Sequence, residues 1–133
     1  MPHSREWVEV YALIRSARGE YLIVRSGMAD DDRWRFVGGP IIGHASPESR
    51  IVEVAREQVD VRIAIQQAQP PFVYNFGTHT IRYRCFLCLI AERRAIAAGV
   101  PELRRIRPMH LHEHFFDAPT AMVIDWLLDS SRG

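Results

Sequence analysis

The sequence is poor in the features that mark specialised protein classes. It has only two cysteines in 133 residues, so no disulfide framework holds the chain together. No apolar run approaches the roughly 20 residues of a membrane-spanning helix. The formal net charge is +1, which provides no bulk field toward nucleic acid or a membrane surface. The leading segment MPHSREWVEV passes from polar residues straight into a strand pattern, unlike a signal peptide. There is no internal repeat, low-complexity tract, Walker loop or G-x-S-x-G elbow. What remains is an ordinary composition, 47% hydrophobic, at a length that suits one domain with one core. The expectation is a single domain over residues 1–133, in the cytoplasm, with no nucleic-acid or membrane partner.

Cys85 and Cys88 lie in the run CFLCLI, which reads as a strand. Residues i and i+3 of a strand point to opposite faces, with Cα atoms roughly 10 Å apart, too far for a disulfide. No second pair completes a zinc site. Two buried core thiols in a reducing compartment are therefore expected.

Trp7 to Arg15 (WVEVYALIR) reads as a strand, Ala17-Arg18-Gly19 as a turn, and Tyr21 to Val24 as a second strand ending on Arg25. The two strands are expected to form a hairpin. Gly27 to Arg33 is a loop, and its Asp30, Asp31 and Asp32 suit a solvated tip better than a cation site.

The stretch WRFVGGPIIGHASPESRIVEVAREQVDV, Trp34 to Val61, organises the chain. Trp34, Phe36 and Val37 suit a short strand, and Gly38-Gly39 a glycine turn. Ser46-Pro47 is a helix-start signal, because the serine oxygen can accept an orphan backbone N–H and proline needs no donor there. A helix is predicted from Pro47 to about Val59, with Ile51, Val52, Ala55 and Val59 as its apolar stripe. Glu53 and Glu57, four apart, project from one side of it.

This stretch resembles the box of the Nudix hydrolase superfamily (MutT-like), in a degenerate form. Trp34, Phe36, Gly38 and Gly39 match the W-x-F-P-G-G lead-in, without its proline. Counting from Gly39 through the pattern Gly, five residues, Glu, seven residues, Arg-Glu-apolar-x-Glu-Glu-x-Gly-apolar, Ala45 falls at the first glutamate. Glu53 falls at the arginine and Val54 at the glutamate after it. Ala55 keeps the apolar position and Glu57 the first glutamate of the pair. Gln58 replaces the second glutamate, Asp60 the glycine, and Val61 keeps the last apolar place.

The resemblance implies an α/β/α sandwich, with a mixed sheet between the box helix and a C-terminal helix. It implies a nucleoside diphosphate linked to another group as ligand, in a cleft between the glycine loop, the box helix and the sheet. It also implies Mg²⁺ or Mn²⁺ held by box glutamates. Such ions want hard oxygen ligands, which alanine and valine side chains lack and glutamine offers only as a neutral carbonyl. Any metal binding is therefore expected to be weakened. Two readings of Glu53 and Glu57 stand: a rearranged metal site, or a solvated face paired with Arg50 and Arg56. His44, beside Ala45, is a candidate replacement base, acid or ligand. Arg25, Trp34, Phe36, Gly38 and Gly39 are candidate substrate contacts. Three functions follow: a hydrolase with an impaired or altered metal site, a ligand-binding or regulatory module that does not hydrolyse, or metal-independent chemistry using His44 or His79 with Glu57.

After the helix, Val61 to Ile65, Phe72 to Phe76, His79 to Ala91 and Glu102 to Arg107 read as strands. Arg82 and Arg84 share one face of the long strand and suit a phosphate groove or a solvated face. Glu92 to Pro101 reads as a loop. A short helical piece from Leu111 to Phe116 and a terminal helix, Ala118 to Leu128, close the chain. His110, His112 and His114 alternate; on a strand they would share one face and suggest zinc or copper, while on a helix His112 points away from the other two, which favours a polar face, with a homodimer contact among its uses.

Overall fold

The computed structural model describes residues 6–25, 32–91 and 103–130, so the expectations for 27–31 and 92–101 lie outside those ranges. Among the described residues, seven strands and two α-helices follow one another along the chain. They are β1 (Glu6–Arg15), β2 (Tyr21–Arg25), β3 (Trp34–Pro40), α1 (Pro47–Val59), β4 (Ile63–Ala68), β5 (Phe72–Asn75), β6 (Thr80–Ile90), β7 (Leu103–Ile106) and α2 (Ala118–Ser130). A 3₁₀ turn, Pro108–Glu113, precedes α2 and replaces the expected helical piece at 111–116. No helix among the described residues is long and apolar enough to cross a membrane.

The sheet has the order β4-β6-β1-β3-β2-β7, with β5 also paired to β6. β1 and β6 run parallel from Glu6↔Thr80 to Arg15↔Leu89, and the other pairs are antiparallel. The expected β1–β2 hairpin is therefore corrected. The two strands meet only at Arg15↔Tyr21, because β3 lies between them. β3 pairs with β2 through Trp34 to Phe36 and with β1 through Val37 to Pro40.

Alternation along the strands builds two cores, one on each face. Val10, Ala12, Ile14, Val37, Phe86 and Cys88 pack with Ile51, Val54, Ala55 and Val59 of α1. Tyr11, Leu13, Phe36, Tyr83 and Cys85 pack with Val123 and Ile124 of α2. Full burial of a side chain such as Leu13 or Ile14 contributes about 1.5–3 kcal/mol. The cysteines are free, buried and on opposite faces, as their spacing predicts.

α1 begins and ends as the sequence predicts. The Ser46 hydroxyl accepts the Ser49 N–H at 3.1 Å, and Pro47 follows. Asp60 closes the helix at φ 52°, ψ 44°, in the left-handed region where the resembled pattern has glycine. Aspartate tolerates that region through its short polar side chain. The buried face is Ile51, Val54, Ala55 and Val59, a correction of the predicted stripe, since Val52 is exposed. Val54 keeps the three–four spacing from Ile51 that faces the sheet.

Candidate functional site

The glycine pair is not a turn but the end of β3, opposite Tyr11 and Val10. At Gly38 the need for glycine is steric and comes from the neighbouring strand. A Cβ on Gly38 would stand 2.1 Å from the Val10 carbonyl oxygen and 2.7 Å from the Tyr11 ring. A Cβ on Gly39 would meet only the Arg50 guanidinium at 3.3 Å and Val54 Cγ1 at 3.6 Å.

Arg50 sits between that strand end and the helix. Its Nε donates to the Pro40 carbonyl at 2.7 Å. Its Nη1 donates to Glu53 Oε1 and lies 3.6 Å from Glu57 Oε2. The arginine side chain is 9% exposed, whereas those of Glu53 and Glu57 are 58% and 56% exposed. The pairing of Glu53 with an arginine three residues before it was legible in the sequence; the burial of that arginine was not. Glu53 and Glu57 do share one side of α1, over an open depression also lined by Ser49, Val52, Arg56 and Asp60.

Gln58 is turned the other way. Its Oε1 accepts the Gly38 N–H at 3.3 Å, and its Nε2 donates to the Gly38 carbonyl. The β2 pairing of β3 ends at Phe36, so this amide serves Gly38 in place of a strand. A carboxylate there would present a lone pair to the Gly38 carbonyl, which needs a donor. Glutamine fits this position for a reason no count along the chain reveals.

The residues present do not fit a divalent ion of the Mg²⁺ or Mn²⁺ kind. Such an ion takes several hard oxygens. Here the two available carboxylates both lean on Arg50, Gln58 is committed to Gly38, Val54 is fully buried and Ala45 is exposed. Among the described residues no three of His, Cys, Asp or Glu come together as a metal-binding group. His44 is exposed on the turn after Gly43, and no hydrogen bond or ion pair joins it to Glu53 or Glu57 among the described residues. His79 stacks against Phe76 and Trp7 instead, apart from Glu57.

Most of the remaining candidates lie on the other face of the sheet. Phe36 is wholly buried against Tyr11 and Tyr21, which makes it core rather than an open substrate contact. Trp34 is buried beneath two guanidiniums, those of Arg25 and Arg104, each 4.8 Å from its ring. His114 abuts the edge of the same ring and lies 3.4 Å from Arg104. His110 pairs with Glu113 at 3.2 Å and His112 is exposed, so the three histidines do not converge. Arg84 lies 6.0 Å from the Phe86 ring, on the α1 side. Trp34 is also tied to the start of α2: its N–H donates to Phe115, and its carbonyl accepts from Asp117. Asp117 in turn accepts the Thr120 N–H at 3.0 Å, a cap that sequence reading missed although Asp-x-x-Thr shows it.

The concavities follow the same division. Where the resemblance implies a cleft, Arg50 lies between the end of β3 and α1. A half-open cavity of about 230 Å³ lies on the α2 face, walled by Pro70, Phe72, Cys85, Met122 and Trp126. Burial pushes the Cys85 and Cys88 thiols up to about 12, so neither is a nucleophile at neutral pH.

A mixed sheet between two helices, with a glycine strand end feeding a capped helix, defines the class: the chain has the fold of the Nudix hydrolases. It is similar to a MutT protein from Methanosarcina mazei Go1 (13% identity, 99% of each chain, TM-score 0.76). It is similar also to a Nudix hydrolase from Nitrosomonas europaea (12% identity, 96% of this chain and 90% of that one, TM-score 0.77). A third likeness is to the C. elegans Ap4A hydrolase (10% identity, 95% of this chain and 96% of that one, TM-score 0.73). No family model matches the sequence, and no curated protein sequence does.

Proposed function

We propose that the chain binds a nucleoside diphosphate linked to another group and does not hydrolyse it by the metal-dependent route. The observation that carries this reading is the chemistry at the box positions. Ala45 offers a methyl, Val54 is sealed in the core, and Gln58 holds the Gly38 backbone. The frame of the site is intact while its oxygen ligands are not. Support for an anionic ligand comes from Arg25 and Arg104. Both guanidiniums flank Trp34, and neither pairs with a carboxylate among the described residues. Guanidinium forks suit phosphate oxygens.

Calorimetry with ADP-ribose and ADP, in EDTA and again with Mg²⁺, tests this. The expected result is binding in EDTA, unchanged by Mg²⁺, with no turnover. Absence of binding in both conditions overturns the reading.

A second reading, a hydrolase with a weakened or rearranged Mg²⁺ or Mn²⁺ site, draws on one observation. Glu53 and Glu57 are both more than half exposed over one depression, within reach of solvent. Glu57 would be the surviving ligand, with Glu53 as substitute ligand or base and His44 assisting. Metal-dependent release of a phosphate or nucleotide product, abolished by Glu57→Gln, would establish it.

A further inference from the structure

We infer that Arg50 is a resident cation standing in for the divalent ion at this helix, so that Glu53 and Glu57 serve a fixed guanidinium and not a metal. The inference rests on the Nudix-type reading of α1, not on any nucleotide ligand. Arg50, Glu53 and Glu57 are three and then four residues apart, which stacks them on one helix face above the end of β3. The arginine is held there on three sides. Pro40 accepts from Nε at 2.7 Å, Glu53 accepts from Nη1, and Nη2 lies over Gly39, 3.3 Å from where a Cβ there would stand.

The exclusion of a metal is chemical as well as steric. Mg²⁺ needs carboxylate oxygens at about 2.0–2.1 Å in near-octahedral array, with their lone pairs free. Nη1 already takes a lone pair of Glu53 and lies between it and Glu57. The site carries two negative charges and one positive, so a divalent ion would meet a net charge of only about −1 beside a like-charged group. The absence of carboxylates at Ala45, Val54 and Gln58 is consistent with this arrangement, since a monovalent centre needs fewer anions than a divalent one.

Mn²⁺ alone, without nucleotide, is the probe. The full chain is titrated with Mn²⁺ by electron paramagnetic resonance and by thermal shift, as wild type, Arg50→Met, and Arg50→Met with Glu57→Gln. Methionine keeps much of the apolar stem while removing the charge. Wild type is expected to show no saturable binding and no Mn²⁺-dependent rise in Tm. Arg50→Met is expected to acquire a weak site, with Kd of about 1 mM, that raises Tm on Mn²⁺ addition and disappears when Glu57→Gln is added. Saturable wild-type binding sensitive to Glu57→Gln overturns the inference. So does a folded Arg50→Met protein that binds Mn²⁺ no better than wild type.

Should Arg50→Met fail to fold, the paired variant Glu53→Gln/Glu57→Gln decides. It leaves a buried guanidinium short of counter-charge, so its Tm must fall with or without Mn²⁺. An unchanged Tm overturns the inference. Nucleotide binding does not enter these measurements, so a failure of the proposed function and a failure of this inference are read separately.

Discussion

The two faces of the sheet treat charge in opposite ways. On the α1 face, Arg50, Glu53, Glu57 and Gln58 satisfy one another or the end of β3. On the α2 face, Arg25 and Arg104 gather around one indole, and Glu9 is withdrawn from water beside Asp117 and Arg35. A site whose polar groups are mutually satisfied has little left to offer a ligand. A site whose cations meet no carboxylate among the described residues favours anions. On the proposed reading the box helix is a closed structural device, and the ligand-facing chemistry would lie on the other side of β3.

The largest effect expected from breaking this arrangement lies in the glycine pair that both faces share. Gly38→Ala drives a Cβ into the Val10 carbonyl, and backbone cannot step aside cheaply. A loss of about 3 kcal/mol, the upper end for overpacking, is expected. Gly39→Ala meets the tip of a flexible arginine at 3.3 Å and should cost far less. Urea denaturation of the two variants side by side checks this, since equal losses would remove the distinction between the positions.

Next in size is the charge on the α2 face. Arg25→Gln or Arg104→Gln should weaken ADP binding about tenfold each, the worth of one charge-assisted hydrogen bond. Glu57→Gln, across the sheet, should leave it unchanged. Calorimetry on the three variants sharpens the comparison, and an ADP affinity that depends on Glu57 and not on the arginines would invert it.

Gln58 is the third test. Gln58→Ala removes two hydrogen bonds from Gly38 at a part-buried position and should cost about 1–2 kcal/mol. Gln58→Glu restores the glutamate of the resembled pattern but sets a carboxylate against the Gly38 carbonyl, so it should be no more stable than Gln58→Ala. Thermal melts at neutral pH decide, and a stabilised Gln58→Glu protein would mean that the box can still be rebuilt.

Much of the fold was legible because its signals are local. Ser46-Pro47 announces α1, and the strand from Thr80 to Ile90 announces itself by β-branched and aromatic content. What was hidden depends on partners distant in sequence. The β1–β2 hairpin looked natural until β3 took the place between them. Gly38 looked like a turn residue because its steric reason, the Val10 carbonyl, lies on another strand. Arg50 read as a surface partner of Glu53 and Gln58 as a neutral substitute for a metal-facing glutamate, yet each reaches the end of β3. The one local clue was spacing: Arg50 falls on the same face as Glu53 and Glu57, toward a residue with no side chain. At the α2 face, Arg25 and Trp34 were singled out, but Arg104 was not, since only strand pairing brings β7 beside β2.

The smallest expected effect is also the one with the clearest sign. Glu9 follows the alternation of Tyr11 and Leu13 toward the α2 face. Desolvation raises its pKa above the ordinary 4.5, Asp117 adds to the rise, and Arg35 and His79 only partly oppose it. A carboxyl whose folded pKa is raised favours the folded state while protonated. That contribution is fully present below the unfolded pKa and is lost as pH rises through the folded value. At neutral pH the charged Glu9 therefore weakens the fold, and Glu9→Gln should raise Tm at pH 7 while leaving it unchanged near pH 4. Glu53→Gln, which takes a partner from buried Arg50, should lower Tm at pH 7 instead. Melts of both variants across that pH range set the two faces against each other directly. If Glu9→Gln lowered Tm at pH 7, attraction to Arg35 would outweigh desolvation, and the α2 face would be as internally satisfied as the box helix.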